Sequence, residues 1–154
     1  MKPDEFIAML AGPAQECQKA HGIPASFTLA QAALESAWGA SKLANIGLNL
    51  FGVKADKSWA GPTCMMMTAE YRNGQRVMEQ AKWRAYANWE ECLNDHAAFF
   101  RKNPRYAACF KQTTGEGWAK AVAAAGYATD PEYADKLIRT MRARKLARFD
   151  KVAA

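Results

Sequence analysis

The chain has 154 residues, 50% of them hydrophobic and 23% charged, with 21 Lys and Arg against 15 Asp and Glu for a net charge of +6. This balance suits one globular domain spanning residues 1–154 and excludes disordered and fibrous classes. No apolar run reaches the roughly 18–20 residues of a membrane-spanning helix, and Met1-Lys2-Pro3-Asp4-Glu5 opens no secretory apolar region. The expectation is a soluble protein made in the cytoplasm without a signal peptide and without stable membrane insertion.

In chain order, Asp4 is positioned to cap a first helix whose apolar residues Phe6, Ile7, Leu10 and Ala14 recur at helical spacing. It should run to about Ala20 and end at His21-Gly22-Ile23-Pro24, with Pro13 kinking or splitting it. Ser26 precedes a second helix through Phe27, Ala30, Leu34, Ala37 and Trp38 that stops at Gly39, and Ser41 begins a short turn. From Gly47 to Pro62 periodicity lapses and a loop is expected. Residues 63–86 then read as a hairpin lobe, two extended runs about Asn73-Gly74, the strongest short-range hairpin signal.

Asn88 caps the next helix, which carries Cys92, Asp95, His96, Phe99 and Phe100 and closes near Asn103-Pro104; a short turn follows at Arg105 to Phe110. Thr114 caps a helix from Trp118 to Ala125, stopped by Gly126, and Asp130-Pro131 opens the last one through Leu137, Ile138 and Met141. Five or six helices and one hairpin result. Arg139, Arg142, Arg144, Lys145, Arg148 and Lys151 crowd the C-terminus and read as a solvated basic face, while the overall charge favours encounter with a polyanion.

Cys17, Cys64, Cys92 and Cys109 form no C-x-x-C pair and accompany two distant histidines, so no metal site is expected. They read as buried reduced thiols, with two disulfides after export as the alternative. Gly-rich phosphate loops and Ser-His-Asp or Cys-His signatures do not appear, and no cofactor is expected.

Glu35 is the only acid between Glu16 and Asp56, in the last turn of an otherwise apolar helix. The negative end of the helix dipole and apolar neighbours both disfavour its ionisation, the condition a general acid needs. A surface glutamate at a helix end is the plainer reading. Glu70 and Glu79 lie on opposite arms of the hairpin; with a two-residue turn, Glu70 faces Val77 and shares a sheet face with Glu79. Either one can present a second carboxylate to a cleft, or simply discourage edge pairing. Several aromatics, among them Trp38, Phe51, Tyr71, Tyr127 and Tyr133, fall outside regular core stripes and suit sugar faces as well as packing.

The run Leu29-Ala30-Gln31-Ala32-Ala33-Leu34-Glu35-Ser36-Ala37-Trp38-Gly39-Ala40-Ser41 closely resembles the peptidoglycan β-N-acetylglucosaminidases of glycoside hydrolase family 73, which include flagellar and phage-associated members. Asn49-Leu50-Phe51-Gly52-Val53-Lys54, Thr68-Ala69-Glu70-Tyr71 with Asn73-Gly74, Arg84-Ala85-Tyr86, Asn103-Pro104-Arg105-Tyr106 and the stretch from Gly126 to Ala134 follow in the family's order, so the resemblance covers about residues 5–142. The segment Asp56 to Pro62 and the three methionines Met65 to Met67 depart from the pattern.

The resemblance implies a lysozyme-like α+β fold in which a mostly helical lobe and a small β-hairpin lobe border a glycan groove. It implies cleavage between N-acetylglucosamine and N-acetylmuramic acid, with Glu35 as general acid, Glu70 as the second carboxylate and Tyr127 near the reacting sugar. Trp38, Asn49, Phe51, Tyr71 and Tyr133 are the expected substrate-binding positions. A separation of about 6.5–9.5 Å between the two carboxylates would suit inversion and about 5–5.5 Å retention, whereas attack by the substrate's 2-acetamido oxygen would leave Glu70 supportive. The expected partner is the glycan strand of peptidoglycan, not nucleic acid, met in the periplasm or outside the cell by a monomeric phage or prophage endolysin released through a holin-type pore. A lytic transglycosylase or muramidase is the enzymatic rival, and a non-catalytic murein-binding or flagellar assembly module is the rival from another class.

Overall fold

The computed structural model describes residues 1–151. They run in the order α1 (Pro3–His21), α2 (Ala25–Ser36), α3 (Lys42–Ile46), β1 (Thr63–Arg72), β2 (Gln75–Arg84), α4 (Trp89–Lys102), α5 (Gly115–Ala124) and α6 (Tyr133–Ala143), with 3₁₀ turns at Pro104–Lys111 and Leu146–Asp150. The mostly helical α+β arrangement expected from the sequence is the one the chain adopts.

Helix α2 is the axis of the helical lobe. Ten of its twelve residues are buried, leaving only Leu34 and Glu35 exposed at its C-terminal end. A helix apolar on all sides belongs inside a protein, and the small side chains of Ala25, Ala30, Ala32 and Ala33 let neighbours approach it closely. Helix α1 packs on it through Phe6, Ile7, Leu10 and Ala14. Phe27 meets Phe100 of α4 and Trp118 of α5 at ring-centroid distances of 6.0 and 5.5 Å. Leu137, Ile138 and Met141 close the core from α6.

Several helix ends differ from the sequence expectation. Helix α1 begins one residue earlier than its expected cap: Lys2 is the N-cap residue, and its N–H donates to the Glu5 carboxylate at 3.2 Å, leaving Asp4 in the first turn. Pro13 does not split the helix; it removes one backbone donor, yet Ala11, Ala14 and Cys17 on either side stay buried and packing holds the turn. Helix α2 starts at Ala25, so Ser26 lies inside its first turn. The Ser26 N–H and hydroxyl both donate, at 2.7 Å, to the carboxylate of Asp150 from the far end of the chain. Negative charge at a helix N-terminus is favourable, and here it substitutes for a local cap, since Pro24 offers none. Helix α6 opens at Tyr133, because Asp130 instead bonds the Glu132 N–H at 2.9 Å in a preceding turn.

The hairpin forms as the Asn-Gly signal required. Asn73 and Gly74 both have positive φ, 52° and 78°, and the register pairs Glu70 with Val77 and Thr68 with Glu79. Its base is stitched to the preceding loop by bonds from Arg84 N to Val53 O and from Ala55 N to Lys82 O, both 3.0 Å. Arg84 also reaches α4, donating to Asp95 at 2.8 Å, while its guanidinium lies over the Trp59 ring at 4.8 Å. Met65 and Met67 are exposed and Met66 is half-buried on the opposite face, so the alternation expected of a strand holds but none of the three enters the core. All four cysteines are unpaired thiols; burial pushes Cys17 up to about 11 and Cys92 up to about 12.

Asp150→Ala would orphan two donors at the start of the helix that carries Glu35. The expected cost is roughly 1–3 kcal/mol, read by thermal denaturation as a Tm fall of about 2–4 °C per kcal/mol. An unchanged Tm would show that α2 does not depend on this anchor.

Candidate active site

Glu35 projects from the one exposed end of a buried helix, and the local sequence explains how the chain turns away beyond it. Ala37, Trp38 and Gly39 are successive left-handed residues with φ of 51°, 58° and 78°. The Ser36 hydroxyl donates to Ala32 O at 2.6 Å and accepts from Gly39 N at 2.9 Å, clamping the reversal. A side chain at Gly39 would meet the Phe6 ring at 3.0 Å, which adds a steric reason for glycine to its positive φ. Two strained non-glycine residues directly behind an acid mark a site where packing overrides local preference.

Desolvation raises the Glu35 pKa above the ordinary glutamate value, and the hydrogen bond from Tyr133 opposes this only in part. Tyr133 Oη donates to Glu35 Oε1 at 2.8 Å. Gln31 Nε2, one turn earlier on α2, donates to Tyr133 Oη at 3.0 Å, and His96 Nε2 lies 2.8 Å from Gln31 Oε1. His96 is only 5% exposed and stacks on Phe51 with centroids 3.7 Å apart and planes 8° from parallel. Burial pushes its pKa down to about 3, so the ring is neutral at physiological pH.

Glu35 opens into a cleft of about 690 Å³ whose walls include Phe51, Phe99, Tyr106 and Tyr127, with Lys54, Asp56 and Arg84 on the hairpin side. Asp56, Arg84 and Phe99 are shared with an adjoining depression of about 590 Å³ that adds Trp59 and Asp95, so the furrow extends past the hairpin base. Aromatic walls with scattered charged groups suit a sugar chain, whose faces are apolar and whose edges are polar. Within the cleft Asp56 contrasts with Glu35: bonds from the Ser58 hydroxyl and N–H hold its carboxyl below the usual aspartate value. One acid with a raised pKa thus shares the cleft with another whose pKa is lowered.

The sequence-selected residues are distributed as follows. Glu35, Phe51 and Tyr127 line the cleft, and Tyr133 sits behind Glu35, stacked on Tyr127 at 5.7 Å. Glu70 is not in the cleft wall; its carboxylate takes a 2.8 Å salt bridge from Lys54, which is. Glu79 pairs with Arg72 through two 2.9 Å bonds, and Tyr71 is 73% exposed near the hairpin tip. Trp38 lies outside the cleft lining, its ring edge-on to Phe6 at 5.9 Å beneath the Arg144 guanidinium at 5.4 Å. Asn49 is buried and staples loop to hairpin, its Nδ2 donating to Val53 O and Arg84 O at 2.9 Å each. Sequence reasoning did not select Gln31, His96, Lys54 or Asp56. Gln31 had a usable signal, a lone amide four residues before Glu35 on an apolar helix.

The family model described as mannosyl-glycoprotein endo-beta-N-acetylglucosaminidase, of the glucosaminidase family, matches residues 11–146. The chain is 44% identical over 137 residues to peptidoglycan hydrolase FlgJ of Salmonella typhimurium, covering 86% of this chain and 43% of that protein. It is 37% identical to exo-glucosaminidase LytG of Bacillus subtilis, covering 96% of this chain and 53% of that one. Thus the chain spans about half the length of these relatives. The solved C-terminally truncated glycoside hydrolase domain of Salmonella typhimurium FlgJ superposes with a TM-score of 0.80 at 42% identity, covering 94% of this chain and 98% of the other.

The desolvated carboxyl makes a prediction independent of any reaction. Carboxyl-carbon NMR titration should give Glu35 a pKa above the ordinary glutamate value of about 4.3. Tyr133→Phe, which removes the one donor to Glu35 found among the described residues, should raise it further; a fall would contradict the assigned balance of burial and hydrogen bonding.

Proposed function

The chain belongs to the glucosaminidase family, and from that premise we propose that it is a peptidoglycan hydrolase that cleaves the β-1,4 bond between N-acetylglucosamine and N-acetylmuramic acid. The observation that carries this reading is Glu35, a desolvated acid at the lip of an aromatic-walled cleft. In the proposed first step the glycan lies along the furrow with a glycosidic oxygen against Glu35. Tyr133 already donates to Oε1, so Oε2 is the oxygen left to hold the proton and pass it to the departing sugar oxygen. Phe51 and Tyr127 supply flat surface for the sugar faces, and the net charge of +6 favours approach to an anionic wall.

For the second step we propose Glu70 as the carboxylate that activates water or stabilises positive charge at the anomeric carbon. Its carboxylate is held by the salt bridge from Lys54 beside the cleft rim, and movement of the two-stranded hairpin would carry it toward the sugar. Attack by the substrate's own acetamido oxygen is the alternative, in which Glu70 only assists. The proposed setting is a phage or prophage endolysin that acts as a monomer after passage through a holin-type pore. Lysis from within only on co-expression with such a pore is its test.

Glu35→Gln should lower murein hydrolysis by roughly 10²–10⁴-fold while leaving glycan binding and Tm in place. Because the protonated form is the active one, activity should be retained below the raised Glu35 pKa and lost as pH rises through it. Glu70→Gln should impair turnover, and less so if the substrate assists. Mass spectrometry of digests should find reducing N-acetylglucosamine ends on oligomeric fragments. Anhydro-muramic ends would make the enzyme a transglycosylase, reducing muramic ends a muramidase, and release of single terminal sugars an exo-acting glucosaminidase.

A further inference from the structure

The chain of contacts behind Glu35 has two self-consistent hydrogen-bond directions, and they differ in where the acid keeps its proton. In the outward direction His96 Nε2–H donates to Gln31 Oε1, Gln31 Nε2 to Tyr133 Oη, and Tyr133 Oη–H to Glu35 Oε1. Oε1 is then occupied by a donated hydrogen, and the carboxyl proton resides on Oε2. In the inward direction every bond reverses: Glu35 donates its own proton to Tyr133, Tyr133 to a rotated Gln31 carbonyl, and the Gln31 amide to His96 Nε2. The acid's proton is then spent on the protein.

His96 Nδ1 decides between them. It is buried and has no hydrogen-bond partner among the described residues. In the outward direction Nδ1 is a bare acceptor, a group that folded proteins leave unmatched at modest cost; in the inward direction it must carry a buried N–H without an acceptor, which they rarely do. Phe51 stacks flat against the ring at 3.7 Å and Phe100 meets it edge-on at 4.6 Å where it borders the cleft, and Gln31 is its one hydrogen-bond partner among the described residues.

We propose that His96 is a positioning residue that, through Gln31 and Tyr133, fixes the direction of this relay and so keeps the Glu35 proton on the oxygen available to substrate. The proposal deepens the reading of Glu35 as general acid and rests on it. It also gives a reason for a histidine inside an otherwise apolar face of α4, where Cys92, Leu93, Ala97 and Phe100 share the burial. Titratable and charged groups facing the relay are few. Tyr133 lies behind Glu35, while Tyr106, Tyr127, Lys54, Asp56 and Arg84 share the cleft that Glu35 and His96 both border; His96 meets the edge of Tyr127 at 6.1 Å.

The test begins with the wild-type protein, which has two histidines, His21 and His96. With ¹⁵N-labelled histidine, long-range ¹H–¹⁵N correlation should show His96 as the neutral Nε2–H tautomer at neutral pH. The Nδ1–H tautomer would overturn the proposal whatever the activity. In His96→Phe, which keeps a stacking ring but supplies no donor, Gln31 is free to rotate and draw the Tyr133 hydrogen inward. The expected result is a fall of roughly 10-fold or more in kcat, an unchanged KM, and a basic limb of the pH–rate profile displaced to higher pH, because Glu35 loses the bond that favours its charged form. His96→Gln, which places an amide donor near the position of Nε2, should restore most of kcat. A His96→Phe enzyme with wild-type kcat and profile would overturn the proposal. Failure of the general-acid reading would look different: Glu35→Gln would stay active while the His96 tautomer remained Nε2–H.

Discussion

The 2.8 Å hydrogen bond between Tyr133 and Glu35 joins residues 98 positions apart and fastens the end of α2 to the start of α6. Around it the fold has to meet two opposing demands. Under the proposed role, Glu35 must be desolvated enough to raise its pKa and open enough to meet a substrate. Burying ten of twelve residues of α2 while releasing only Leu34 and Glu35 at its tip satisfies both. The sharp left-handed reversal at Ala37 to Gly39 takes the backbone away from the cleft without further helical turns.

The rest of the molecule holds that tip in place. Asp150 anchors the N-terminal end of α2, and Phe27 locks its first turn between α4 and α5. On the opposite wall, Asn49 and Arg84 fix the hairpin base to the loop and to α4, but the two-stranded arm beyond them has no third strand among the described residues. A site with one rigid wall and one lightly supported wall suits a polymeric substrate that must be threaded along a furrow. The Lys54–Glu70 salt bridge joins these two parts at the rim; being half exposed on the lysine side, it contributes little to stability and does not lock the arm.

What was legible in the sequence was local. Asn73-Gly74 dictated the hairpin and its register, and Asn88, Thr114 and Ser41 each cap a helix by accepting a bond from a nearby backbone N–H, as their residue types require. Glu35 stood out because a lone acid at the end of an apolar helix is a local anomaly. What was not legible depends on pairs distant in the chain. His96 and Gln31 are 65 residues apart, Gln31 and Tyr133 are 102 apart, and Ser26 and Asp150 are 124 apart. Residue type alone does not reveal that such groups will meet. The same limit explains Trp38 and Asn49: both stand in segments matching the family pattern, yet one lies against Phe6 and Arg144 and the other staples backbone carbonyls. A conspicuous aromatic or amide in a motif carries no label that separates scaffold from substrate contact.

The central claim concerns the location of one hydrogen, and neutron diffraction from a deuterium-exchanged crystal held below the raised Glu35 pKa observes it directly. The account predicts nuclear density for deuterium on Glu35 Oε2, with the Tyr133 deuterium directed at Oε1. A carboxylate bare on both oxygens, or deuterium on Oε1 directed at Tyr133, would contradict it.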